Sequence, residues 1–119
     1  MSDDAFARVE SAQFGPASYV VSALGDLDAQ SDELRARLVP LAEIHGARLV
    51  LDVAGAYGVG GETVAAITEV AELLASRSGR RLVIVARDPW TKRVLTDAGI
   101  DRQAHIATTL TGGLAHAAA

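Results

Sequence analysis

The sequence contains no cysteine, few aromatic residues and no long apolar run, and each absence removes a class of protein. Without cysteine there can be no disulfide bond, no thiolate metal site and no thiol nucleophile. No apolar run approaches the ~20 residues that cross a bilayer, and the acidic start Met1-Ser2-Asp3-Asp4 is unlike a signal peptide. A net charge of −4 without a basic stripe argues against nucleic acid or an anionic membrane as the partner. These absences predict a cytoplasmic protein.

The remaining composition is that of an ordinary globular domain. Half of the 119 residues are hydrophobic, 22% are charged and only 4% are aromatic, so we expect an aliphatic, alanine-rich core. This length buries a sizeable core without metal or disulfide bonds. The sequence therefore predicts one domain over residues 1–119, with its core at about residues 5–116 and a frayed tail at Ala117-Ala118-Ala119.

One stretch in the middle of the chain combines a strand, a glycine-rich loop and a helix. The run Leu49-Val50-Leu51-Asp52-Val53 has the pattern of a strand buried on both faces. Glycines follow at 55, 58, 60 and 61, and helical spacing then joins Val64, Ile67, Ala71 and Leu74. Such a junction presents backbone N–H groups and the positive end of a helix. We expect the working surface here and call residues 57–63 the glycine loop.

The flanking segments alternate strands with helices, which predicts an α/β domain with parallel pairing in the middle. Predicted strands cover residues 5–13, 18–24, 81–86 and 104–107, with a turn at Phe14-Gly15-Pro16. The first helix starts at an N-cap of Asp28 or Ser31, contains Pro40, which should kink it, and ends at Gly46. The central helix ends near Ser78-Gly79. Asp88-Pro89 opens a short helix that reaches Gly99, and a weak helix follows Thr109.

Three interpretations of the glycine loop stand side by side. As a phosphate cradle it is incomplete: Gly58-Val59-Gly60 lacks a third glycine, no Gly-Lys-Ser/Thr follows, and Glu62 would repel phosphate. As a purely structural turn it supplies positive φ at several positions. As exposed backbone it can contact a protein partner, and this interpretation is the one we favour. A small nucleotide- or anion-binding protein that uses the same loop is the alternative.

The carboxylates and histidines allow weaker hypotheses. Asp26, Asp28 and Asp52 follow predicted strands and could meet at one rim to bind a divalent cation, although helix capping and turn formation are the favoured explanations. The three histidines, His45, His105 and His116, are scattered without ligand spacing, so no histidine site is expected. Trp90 is either a partial core residue or an exposed anchor for a partner.

The order of these segments resembles the STAS domain, the anti-sigma-factor antagonist family. Its Gly-Glu-Leu-Asp turn is matched by Gly25-Asp26-Leu27-Asp28, and its central Leu-Asp-Leu-Ser-Gly strand by Leu51-Asp52-Val53-Ala54-Gly55. Its Ser-Pro start, basic pair and Gly-Leu exit are matched by Asp88-Pro89, Lys92-Arg93 and Gly99-Ile100. The match runs from about residue 19 to residue 114 with the spacing between segments preserved.

The resemblance implies a mixed sheet of four to five strands with helices mainly on one face, no catalytic activity and no cofactor or metal. It also implies binding to an anti-sigma factor, a serine-kinase-like regulator, or another STAS protein, with a homodimer as a further possibility. Together with the residue patterns above, it leads us to expect partner contacts from Asp26, Asp28, Tyr57, Gly58, Val59, Gly60, Gly61, Glu62, Thr63 and Trp90.

The family's phosphorylation motif is degenerate in this chain. The family sequence Asp-Ser-Ser-Gly, whose first serine is the switch, falls on Gly60-Gly61-Glu62-Thr63. Gly61 therefore stands at the position of the switch serine and has no hydroxyl to modify. Glu62 carries a permanent charge of about −1 one residue later, against about −2 for a phosphate. The resemblance thus implies a partner-binding module without the usual serine switch, in which Thr63 is the remaining candidate acceptor.

Overall fold

The computed structural model describes residues 7–119, so the predicted strand start and core start at residue 5 lie outside the described residues. Nine strands and helices follow one another in this range. They are β1 (Arg8–Gly15), β2 (Ser18–Asp26), α1 (Ser31–Ala42), β3 (Arg48–Tyr57), α2 (Gly61–Ser78), β4 (Leu82–Val85), α3 (Pro89–Asp97), β5 (Ala104–Ala107) and α4 (Leu110–Ala118). No helix in residues 7–119 combines the length and the apolar character that a bilayer crossing requires.

The strands form one mixed sheet in the order β1-β2-β3-β4-β5. β1 is antiparallel to β2, and the other three pairs are parallel. The predicted mixed sheet with parallel pairing in its middle is confirmed. Because β2 to β5 run in the same direction, the segments that follow them all leave from one end of the sheet, which we call the carboxyl edge.

Helices cover the two faces of the sheet unequally. Apolar residues of α1, α2 and α3, such as Leu38, Leu74 and Leu95, are buried in one cluster with Leu51 of β3. On the opposite face, α4 contributes to a smaller cluster around Val50, Val83 and Val85. Three helices therefore lie on one face and one on the other, as expected. β3 contributes to both clusters, which is why it is an almost uninterrupted apolar run.

Helix ends that are set by local chemistry agree with the sequence. Asp88 is the N-cap of α3 and accepts a hydrogen bond from the Thr91 N–H at 3.1 Å, and Pro89 is the first helical residue. Gly79 ends α2 with a φ of +64°. That left-handed conformation is costly for other residues and is typical of a helix C-cap.

Several predicted boundaries are wrong. The first turn lies at residues 16–17 and not at 14–16, since β1 continues through Gly15. β3 continues through Tyr57, so Gly55 belongs to a strand and not to the loop. α1 ends at Ala42, two residues after Pro40, and not at Gly46. α4 covers Leu110–Ala118 and so includes two alanines of the predicted tail.

Candidate functional site

Asp28 connects two loops at the carboxyl edge. Its side chain lies in the connection between β2 and α1, but it does not cap α1: the N-cap of that helix is Gln30, without a side-chain hydrogen bond. Instead Asp28 Oδ1 accepts hydrogen bonds from the Gly60 N–H at 3.0 Å, the Thr63 N–H at 3.0 Å and the Thr63 hydroxyl at 2.5 Å. The expectation that Asp28 or Ser31 caps α1 is therefore wrong, because Asp28 caps α2 from a distant part of the chain.

This capping arrangement stabilises the charged form of the Asp28 side chain at the start of α2. Gly60 is the N-cap residue of α2 and has no side chain of its own to bind the free N–H groups of the first turn. The hydrogen bond from the Thr63 hydroxyl, supported by backbone N–H groups of the loop, holds the pKa of Asp28 below its ordinary value of 3.8 despite desolvation. A carboxylate is therefore fixed at the positive end of α2.

Two glycines of the loop are required by the neighbouring aspartates. A Cβ atom at Gly60 would overlap the carboxylate of Asp28, and a Cβ atom at Gly58, whose φ is +71°, would overlap that of Asp26. Backbone hydrogen bonds join the same two loops, from the Leu27 N–H to the Tyr57 carbonyl and from the Asp28 N–H to the Gly58 carbonyl. Gly61 differs, because a Cβ atom there would meet nothing within 4 Å. We call these two joined loops, residues 26–28 and 57–63, the corner. Their contacts fix the backbone near Gly61, while position 61 itself has open space for a side chain.

Most of the glycine loop faces solvent. Tyr57, Gly58, Gly61 and Glu62 are exposed, and Val59 and Gly60 are half-buried. Thr63 is the exception: it is fully buried, at 0% exposure, and its hydroxyl is bound to Asp28. The loop therefore offers backbone and Glu62 to the outside, while Thr63 is a structural residue.

The large exposed hydrophobic side chains of the described residues all lie at the carboxyl edge. Tyr57 ends β3 and is 58% exposed, and Trp90, at the start of α3 after β4, is 68% exposed. Of the two alternatives for Trp90, the structure therefore has the exposed one. Leu24, near the end of β2, and Leu110, at the start of α4, are exposed by 36% and 37%. No local sequence pattern marks these two leucines, because their exposure depends on the packing around the sheet.

The other candidate side chains do not join this site. Asp52 lies within β3, about 16 Å of strand before Tyr57, and its carboxylate accepts a hydrogen bond from the Ala54 N–H. The expected meeting of Asp26, Asp28 and Asp52 at one rim is therefore wrong. Within residues 7–119 no three His, Asp or Glu side chains group in a way that could hold a metal ion. His105 and His116, expected to be scattered, stack on each other.

The geometry of the glycine loop also argues against the hypothesis that it binds an anion. Helix N-termini bind phosphate through free N–H groups, but the N–H groups of Gly60 and Thr63 already donate to Asp28. The carboxylate of Asp28 and the neighbouring Glu62 place negative charge where a phosphate would have to enter. The glycine loop is thus poorly suited to cradle an anion.

Comparison with known proteins identifies the fold. No family model and no curated protein sequence matches the chain, so the similarity is structural. An anti-sigma factor antagonist from Mycobacterium paratuberculosis superimposes with a TM-score of 0.78 at 21% identity, covering 94% of this chain and 96% of that one. A STAS domain protein from Planctomyces limnophilus gives 0.77 at 13% identity, covering 93% and 98%. The Bacillus cell fate determinant SpoIIAA, in its phosphorylated form, gives 0.68 at 12% identity, covering 88% and 96%. The chain has the STAS fold of anti-sigma factor antagonists.

Proposed function

We propose that this protein is a non-enzymatic regulatory module that binds an anti-sigma factor or a related kinase-like regulator through its carboxyl edge. The contact surface consists of the turn at Asp26 and Asp28, the glycine loop and Trp90. The alternative partner for this surface is another STAS protein or a second copy of this chain.

The observation that carries the proposal is the coincidence of exposed apolar side chains with a rigid, glycine-built corner. Aromatic residues are rare in this chain, yet Tyr57 and Trp90 are both largely exposed at one edge of the sheet. Exposed aromatic side chains beside preorganised backbone are the usual anchors of protein interfaces. Glu62 and Asp26 add negative charge, which favours a partner with basic residues opposite them.

The substitution Gly61→Arg tests this surface with little risk to the fold. A side chain at position 61 meets no neighbour within 4 Å, so the arginine projects outward over the glycine loop. We expect it to reduce capture of the regulator from the native cytoplasm about tenfold or more, because it adds bulk and positive charge in the middle of the contact. Affinity capture with quantitative mass spectrometry measures the loss.

The matched control is Ser76→Arg, on an exposed position of the same helix near its opposite end. It adds the same side chain without touching the carboxyl edge, and it should capture the partner as well as the wild-type protein does. Equal recovery of an anti-sigma factor or kinase by all three proteins would remove this surface from the proposal.

We further propose that the usual serine switch is lost in this chain. Thr63, the remaining candidate acceptor, is fully buried and its hydroxyl donates to Asp28, so a kinase has no access to it without opening the start of α2. Gly61 is exposed but has no hydroxyl. Control of this module therefore lies with its expression or with the state of its partner.

The substitution Gly61→Ser is expected to restore a hydroxyl group that a serine kinase can phosphorylate. Its Cβ fits without contact and position 61 is exposed, so a kinase can reach the added hydroxyl. Incubation with a serine-kinase-type anti-sigma factor should phosphorylate Gly61→Ser and leave the wild type unmodified. Intact mass and peptide mapping provide the measurement, and a phosphate on Thr63 of the wild type would contradict the loss of the switch.

A further inference from the structure

A cleft lies beside β5, the outermost strand on one side of the described sheet. None of the glycine-loop residues lines it. Within residues 7–119, β5 is the last strand and pairs only with β4, so no described strand covers its other side. The cleft has a volume of about 460 Å³ and lies between α3, α4 and β5. The charged and titratable residues that line it are Arg81, Lys92, Asp101, His105 and His116.

The two permanent cations of this cleft lack a carboxylate partner. Arg81 Nη2 donates to the backbone carbonyls of Asp101 and Ala104, at 2.9 and 3.3 Å. Lys92 Nζ donates to the Thr108 hydroxyl at 2.8 Å. Among the described residues, neither cation has a carboxylate oxygen within 4 Å. Two full positive charges therefore face one lining carboxylate, in a protein whose net charge is −4.

Two imidazoles also line this cleft. The rings of His105 on β5 and His116 on α4 stack with centroids 3.6 Å apart and planes 8° from parallel. Desolvation, together with the positive charges of His116 and Arg81, lowers the pKa of His105 below its ordinary value of 6.5. Stacked rings do not converge their nitrogens on one metal ion. Each ring, once protonated, can donate a hydrogen bond to an anion in the cleft.

We propose that this cleft binds a small phosphate-bearing molecule. A phosphate is close to dianionic at neutral pH, and its oxygens accept hydrogen bonds from guanidinium and ammonium groups that approach from different sides. Arg81, Lys92 and the histidine pair supply such donors from four different segments of the chain. The volume exceeds that of phosphate alone, so the remainder of a small organic ligand can lie on the Ala104 and Ile106 surface. This site shares no lining residue with the proposed protein-binding surface.

Inorganic phosphate is the appropriate first probe, because it carries the charge that all such ligands share. The intact protein is titrated by NMR with phosphate and, separately, with chloride at the same ionic strength. We expect phosphate to shift the signals of residues around the cleft in a saturable way. A dianion held beside the histidine pair should also raise the pKa of His105 by about one unit relative to chloride. Equal pKa values of His105 in the two salts would overturn the proposal.

Two variants and one control test whether phosphate binds in this cleft. Lys92→Gln, which keeps a donor for Thr108, should weaken phosphate binding about fivefold or more, since each charge-assisted contact to phosphate contributes strongly. Arg81→Gln should do the same, although it also loses the carbonyl contacts that hold the start of β5. Arg87→Gln removes an exposed arginine that does not line the cleft and should leave the affinity unchanged. Unchanged affinity in Lys92→Gln, or shifts centred on residues 60–63, would assign phosphate to another place and overturn the proposal.

Discussion

We expect Asp28→Ala to lower the free energy of unfolding by about 2–3 kcal/mol, which is a large share of the stability of a small domain. The substitution removes three hydrogen bonds at once. It leaves the N–H and the hydroxyl of fully buried Thr63 without their acceptor, and it takes the cap from α2. Urea denaturation followed by circular dichroism measures the loss as a lower midpoint with an unchanged slope.

The matched control for this prediction is Asp26→Ala, in the same turn. Among residues 7–119, Asp26 Oδ1 makes only a 3.5 Å contact to the Ala29 N–H, which is too long for a strong hydrogen bond. Its removal should change the free energy of unfolding by no more than about 0.5 kcal/mol. Equal losses in the two variants would show that the cross-chain cap is not what stabilises this corner.

The contribution of Asp28 should also depend on pH in a defined direction. Its pKa is below 3.8 in the folded protein, so the unfolded chain binds more protons as the pH falls through this range. The stabilisation is therefore fully present above the unfolded pKa and is lost as the pH falls towards the folded one. The difference between wild type and Asp28→Ala should be constant above about pH 5 and shrink below it. A difference that stays constant down to pH 2 would contradict the role of the carboxylate.

Much of the fold follows from local patterns in the sequence. The apolar run of β3, the helical spacing of Ile67, Ala71 and Leu74, and the Asp88-Pro89 helix start each encode their element directly. The predicted ends of the elements are wrong where hydrogen bonding to a neighbouring strand outweighs the local amino-acid composition. Gly55 is a strand residue because the end of β3 pairs with β2, where Leu24 lies opposite it. A glycine-rich segment predicts a loop, and only the neighbouring strand recruits it into the sheet.

The candidate site was less predictable because its contacts join distant parts of the chain. Asp28 and Gly60 are 32 residues apart, and a local interpretation assigned Asp28 to the nearest helix. The order of segments nevertheless indicated the STAS fold, which the structural comparisons support without any sequence match. His105 and His116 lie on a strand and a helix with unrelated spacing, so only the packing of α4 brings them together. Sequence patterns locate elements, whereas tertiary packing selects which of their side chains meet.

Adjacent glycines of the loop should respond in opposite directions to the same substitution. Gly60→Ala is expected to cost about 2 kcal/mol, because its Cβ would overlap the Asp28 carboxylate and push it from its three donors. The cost is steric, since the extended backbone of Gly60, with a φ of −134°, suits any residue. Gly61→Ala is expected to stabilise the protein by about 0.5–1 kcal/mol, because its Cβ has open space and alanine restricts the unfolded chain. Urea midpoints of the two variants test this opposition.

A double-mutant cycle between positions 28 and 60 separates overlap with the carboxylate from any general cost of a side chain in the loop. Once Asp28 is alanine, the group that a Cβ at position 60 would meet is gone, so Gly60→Ala should then cost little. The expected coupling energy is about 1–2 kcal/mol, within the range for residues in direct contact. Additive losses would mean that Gly60 is required for a reason other than Asp28. Coupling would establish that the glycine at position 60 and the aspartate at position 28 form one structural unit beside the open position 61.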